Sequence, residues 1–120
     1  MTDDPITYSD VLELEYAYAK AKAVLDQIEY KDGYPSYPRE VASLMHSLAQ
    51  GKWENKAYDP RKTQEQIENI DTADLHVCTS ILTSCSRRER FVDGHWKQVL
   101  QGDTLDKVIA RLKVLKANGT

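Results

Sequence analysis

An all-α fold, a compact single-domain bundle of four long helices and one or two short ones, is predicted by three features of this 120-residue sequence. Glycine and proline are sparse, at five and four residues, while Ala, Leu, Glu, Lys and Gln are plentiful, a balance that favours helix. Apolar residues recur at spacings of three and four in separate segments, the period of an amphipathic helix. Ser, Thr or Asp stands ahead of these segments and Gly follows several of them, as helix starts and stops require. The length suits one hydrophobic core. Apolar and charged fractions of 41% and 29% are those of a globular chain, neither disordered nor membrane-embedded.

Residues 1–8 read as an acidic tail, 9–116 as the helical domain and 117–120 as a frayed end. Thr7 or Ser9 caps the first helix, and Asp10 stands three after Thr7 in a capping-box arrangement. Val11, Leu14, Tyr18, Ala21, Leu25 and Ile28 form an a/d seam on a helix predicted from Ser9 to Tyr30, with Leu12, Tyr16 and Ala23 widening that face. The seam is first a core face. At about three heptads it also meets the minimum for self-association, which makes Val11, Leu14, Tyr18 and Leu25 candidate interaction residues and a homodimer through this helix a candidate assembly.

Asp32-Gly33 followed by Pro35 and Pro38 breaks the helix. Ser36 or Pro38 opens the second helix, whose stripe is Val41, Leu44, Met45 and Leu48, and Gly51 closes it. Trp53 and Tyr58 are expected to anchor a long polar loop, in which Asp59-Pro60 starts a short helix over Pro60–Glu68. Asp71 or Thr72 then caps a helix with Asp74 in its first turn and Leu75, Cys78, Ile81, Leu82 and Cys85 on its buried face. Asp93 caps a short helix over Gly94–Gln101, Gly102 ends it, and Asp103 caps the last helix, striped by Leu105, Val108, Ile109, Leu112 and Leu115.

Charge and cysteines narrow the function classes. The net charge is −3, with an acidic front half and a mildly basic back half, so direct nucleic-acid binding through a concentrated basic face is not expected. No run approaches the roughly 18 apolar residues of a membrane span, and no basic and apolar leader opens the chain. Cys78 and Cys85 lie about 10 Å apart along one helix at 1.5 Å per residue, too far to bond to each other. Two free thiols fit a reducing cytoplasm.

Between the two apolar helices, Ser86 to Leu100 gathers three of the six arginines, one of two tryptophans and the single phenylalanine. Arg88 and Arg90 beside a helix start at Gly94, with His95 and Trp96 in its first turn, form a candidate anion site: N–H groups and guanidinium for phosphate, an aromatic face for a base or sugar. Arginines closing a helix and pairing with local acids account for the same residues structurally. Phosphate-loop, dinucleotide-binding, nucleophile-elbow and zinc-protease patterns do not occur. Neither a metal nor a cofactor is called for.

Ala73-Asp74-Leu75 opening a helix, Arg88-Glu89-Arg90-Phe91-x-Asp93-Gly94-His95 at the junction and Ile109-Ala110-Arg111-Leu112-Lys113-x-Leu115 near the end resemble an uncharacterised bacterial family of unknown function. Tyr37-Pro38-Arg39-Glu40-Val41 fits it too, and the likeness covers roughly residues 34–115. Val92 stands where that family often carries Cys. The resemblance implies a helical domain, occurring alone or beside macro domains that act on ADP-ribose derivatives, and it brings no catalytic residues. The expected role is a non-enzymatic, cytoplasmic protein-interaction or regulatory module. Two alternatives stand beside it: an accessory domain binding a phosphate-bearing small molecule such as a nucleotide or ADP-ribose, and a small acidic inhibitor, from a mobile element, of a nucleic-acid-binding complex.

Overall fold

The computed structural model describes residues 6–32, 34–49, 51–88 and 95–117. Among these residues the expected all-α architecture is present: α1 (Tyr8–Ala23), α2 (Arg39–Leu48), α3 (Thr63–Glu68), α4 (Leu75–Arg88), α5 (His95–Gln101) and α6 (Thr104–Ala117). A small hairpin of β1 (Glu29–Lys31) and β2 (Tyr34–Ser36) is the one addition. No described helix is long and apolar enough to cross a membrane.

The start of α1 is built as its sequence requires. Thr7 Oγ1 accepts from Asp10 N at 3.1 Å and Asp10 Oδ2 accepts from Thr7 N at 2.8 Å, a complete capping box. Its end differs from the expectation. The helix stops at Ala23, not Tyr30, and passes through a 3₁₀ turn at Leu25–Gln27 into β1. The cause lies just downstream: Asp32-Gly33 is a two-residue link, and Asp32 takes a φ of 53°. Such a link closes an antiparallel hairpin, here pairing Glu29 with Ser36 and Lys31 with Tyr34. Ile28 is still buried, but from extended backbone rather than from a further helical turn. The hairpin is tied back to α5 by Lys97, whose Nζ lies 5.3 Å from the centre of the Tyr30 ring.

The polar stretch after α2 begins at Gly51, whose φ of +68° is the left-handed geometry that favours glycine. Trp53 is buried and Tyr58 half-buried, so both aromatics anchor the segment as expected. Asp59 caps the 3₁₀ turn Pro60–Lys62 through Arg61 N at 3.0 Å, and that turn runs directly into α3.

The helix α4 also starts differently. Asp71 and Thr72 belong to a 3₁₀ turn over Ile70–Thr72. Asp74 is the cap, its Oδ1 accepting from Val77 N at 2.9 Å, because buried Ile70 and Ala73 fix the chain one turn before the helix can begin. α4 is the central element, packed on α2, α3, α5 and α6, while α1 lies across α2 and α6. Every residue from Cys78 to Cys85 is buried. A strip of Thr79, Ser80, Thr83 and Ser84 is therefore interior too, beside the apolar face expected for this helix.

Candidate functional site

The residues singled out in the sequence fall in two places, and the structure separates them. Val11, Leu14 and Tyr18 are buried between α1 and its neighbours α2 and α6, and Leu25 is packed against the same core. Of the two roles expected for this seam, core face and self-association, the fold uses the first: two helices of the same chain cover it, so these four residues do not form an exposed contact surface. At the junction, Trp96 is the largest fully buried side chain, at 1% exposure. Its ring packs in the core and offers no face to a base or sugar. The backbone of Arg88 ends α4 and that of His95 opens α5. The side chains of Arg88 and His95, and the whole of Arg90, Asp93 and Gly94, lie outside the described residues.

Arg87, the first of the three junction arginines, is engaged. It pairs with Glu54, and its guanidinium carbon stands 6.0 Å from the centre of the Tyr58 ring. That pair ends a polar seam running along α4. Asn55 N donates to Thr83 Oγ1 at 2.7 Å, and Thr83 donates to the Trp53 carbonyl at 3.3 Å. The Asn55 amide donates to the His76 carbonyl, to Thr79 Oγ1 and to Ser80 Oγ, each at 3.1 Å. Thr63 donates to Ser84 Oγ at 2.9 Å. The hydroxyl strip is a set of buried acceptors and donors satisfied by the 53–63 segment, as buried polar groups require.

The Cys78 thiol is not poised as a nucleophile. Burial pushes the Cys78 thiol up to about 11, against a weaker downward pull from Arg111, so it is protonated and a poor nucleophile at neutral pH. Among the described residues no group of three His, Cys, Asp or Glu side chains could hold a metal ion.

The outer side of α1 is the feature that sequence reading placed wrongly. Leu12 and Tyr16, taken as broadening the buried seam, are 41% and 67% exposed, and Tyr8 is 40% exposed. At 100° per residue these three lie one turn apart on the side of the helix away from Val11 and Leu14. The signal was present as a second stripe at i, i+4, i+8. Beside it, α1 and α6 enclose a groove of about 530 Å³ with Ala19, Ala23, Ile109 and Ala110 along its apolar floor. Two ion pairs cross the groove: Lys22 Nζ to Asp106 Oδ2 at 3.2 Å and Lys113 Nζ to Glu15 Oε2 at 3.1 Å. Lys22 also meets Tyr18 Oη at 3.1 Å. That hydrogen bond, the largest influence on the ammonium, raises its pKa above the usual lysine value, while burial raises the Tyr18 phenol.

No curated protein and no solved structure matches the chain. The expected membership of an uncharacterised family is borne out: a family of unknown function, DUF6508, matches residues 22–118, from the last turn of α1 to just past α6, and the chain belongs to that family.

Proposed function

We propose that this domain is a non-enzymatic protein-interaction module whose contact surface is the outward face of α1 together with the groove beside α6. The observation that carries the reading is the row Tyr8, Leu12 and Tyr16, exposed at 40%, 41% and 67% on a helix rigidly capped at its start. Tyrosine concentrates binding energy where it is buried at an interface, because a large amphipathic ring orders at low entropic cost. A contiguous apolar stripe on a rigid helix, bordered by charges, is the surface type that marks association rather than catalysis. The interior is consistent with the same reading, since burial keeps the Cys78 thiol protonated and the Thr79, Ser80, Thr83 and Ser84 hydroxyls are engaged in structural hydrogen bonds.

Tyr16→Asp and Leu12→Asp are the variants to test. Both should keep folding stability within about 0.5 kcal/mol of wild type, as surface substitutions do, and both should lose co-purification with the proteins that accompany the tagged wild-type chain from its own cells. Unchanged co-purification in both variants would sink the reading.

A second reading keeps the junction as a site for a phosphate-bearing ligand at Arg88, Arg90, Gly94 and His95, without Trp96. It is favoured by α4 ending at Arg88 and α5 opening at His95, which brackets the arginines and a helix start in one short stretch. A nucleotide or ADP-ribose at 100 times its Kd adds about 2.7 kcal/mol to stability. A thermal shift that disappears in Arg90→Ala supports this reading, and none in wild type removes it.

A further inference from the structure

Resting on the interaction reading, we propose that the occupant of the α1 face is a second copy of this chain, its α1 packed antiparallel to the first about a two-fold axis near Tyr16. The order of residues along the face points to this partner. Its bulky members, Tyr8 and Leu12, are in the first half of α1, and its small ones, Ala19 and Ala23, are in the second half and line the groove beside α6. An antiparallel copy sets Leu12 over the second copy's Ala19 and Tyr8 over its Ala23, large against small, with Tyr16 against its own symmetry mate. This is the self-complementary arrangement that a two-fold interface demands.

Charge follows the same order. Asp10, Glu13 and Glu15 precede Lys20 and Lys22 along α1. Glu15 and Lys22 are spent on α6, and Asp10 on Lys52. That leaves Glu13, which has no ion pair among the described residues, and Lys20, which reaches the ring of Tyr16 at 5.1 Å. Both are exposed. Seven residues apart, they are about 10 Å from each other on one helix and cannot pair within the chain. On antiparallel copies the same flank meets itself, so Glu13 of each faces Lys20 of the other. The acid-first order also suits the helix dipole, but the dipole places no demand on which side of the helix the charges lie.

One pair of short helix faces buries less than the roughly 1,200 Å² of a standard interface, so the dimer belongs to the micromolar class. Sedimentation equilibrium from about 1 μM to about 1 mM should show wild type passing from the 13.7 kDa chain to twice that mass. Glu13→Lys and Lys20→Glu, each placing like charges at both contacts, should each weaken the dimer at least tenfold. An equimolar mixture of the two variants restores both opposite-charge contacts and should regain the wild-type association constant. Circular dichroism of each variant checks that it is folded. Wild type that stays monomeric over the whole range overturns the proposal. If Tyr16→Asp still loses its co-purifying proteins in that case, the interaction reading survives with a different partner. A dimer indifferent to Leu12→Asp, or two weakened variants that fail to complement each other, also overturns it.

Discussion

Asn55 shows how much of this fold rests on single polar contacts. Its side chain supplies the donor for the Thr79 and Ser80 hydroxyls and the His76 carbonyl, and its own backbone N–H goes to Thr83. The Thr79 and Ser80 hydroxyls are buried, so removing the amide takes away a donor that water does not readily replace, while the backbone bond to Thr83 remains. Asn55→Ala should therefore cost about 1–3 kcal/mol, more than its half-exposed position implies, measured as a shift in the urea midpoint at unchanged m-value. A cost near zero would mean that water replaces the amide and that the 53–63 segment is not held by this contact. The same logic explains why small hydroxyl residues on α4 were legible as helix but not as interior: their burial depends on partners 21 to 30 residues away in the chain.

At the scale of the element, α1 is the most fully specified by its own sequence at one end and the least at the other. The capping box depends on residues three apart, and Asp10 carries it. Hydrogen bonds from the Thr7 backbone, first, and from Lys52 hold its carboxyl below the ordinary value of 3.8. A depressed carboxylate contributes stability that is fully present above its unfolded value and is lost as pH falls through the folded one. The stability gap between wild type and Asp10→Ala should thus be constant near neutrality and close as pH drops from about 4 downward. A gap that does not change with pH would assign the effect of Asp10 to packing. Thr7→Ala, which removes the other half of the box, should cost about 1 kcal/mol. The far end of α1 is set by the hairpin, whose two-residue Asp32-Gly33 link takes Glu29–Lys31 into a strand in place of the last two turns of helix expected up to Tyr30.

Over the whole molecule, the core is closed by α4 and by Trp96 at 1% exposure. Trp96→Ala should cost about 3–5 kcal/mol through lost burial and the cavity left behind, read by chemical denaturation, while Tyr16→Asp should cost almost nothing. A Trp96→Ala protein as stable as wild type would reopen that ring as a ligand contact. The contrast between the two aromatics is the functional content of the fold: one is spent on cohesion and the other is left outside on α1.

Local chemistry in the sequence by itself determined the helical class, the capping box at Thr7 and Asp10, the stop near Gly51, the start at Asp59-Pro60 and the apolar stripes of α2 and α6. Each of these depends on groups within about one or two turns of one another, which a linear reading contains. Only the tertiary structure decided which of the two apolar stripes of α1 is covered, since periodicity sets the angle between stripes but not which one α2 and α6 come to occupy. It likewise decided that Trp96 points inward and that the hydroxyl strip of α4 is dry. In each case the burial of a side chain is a property of what other segments bring against it, and those segments are distant in the chain.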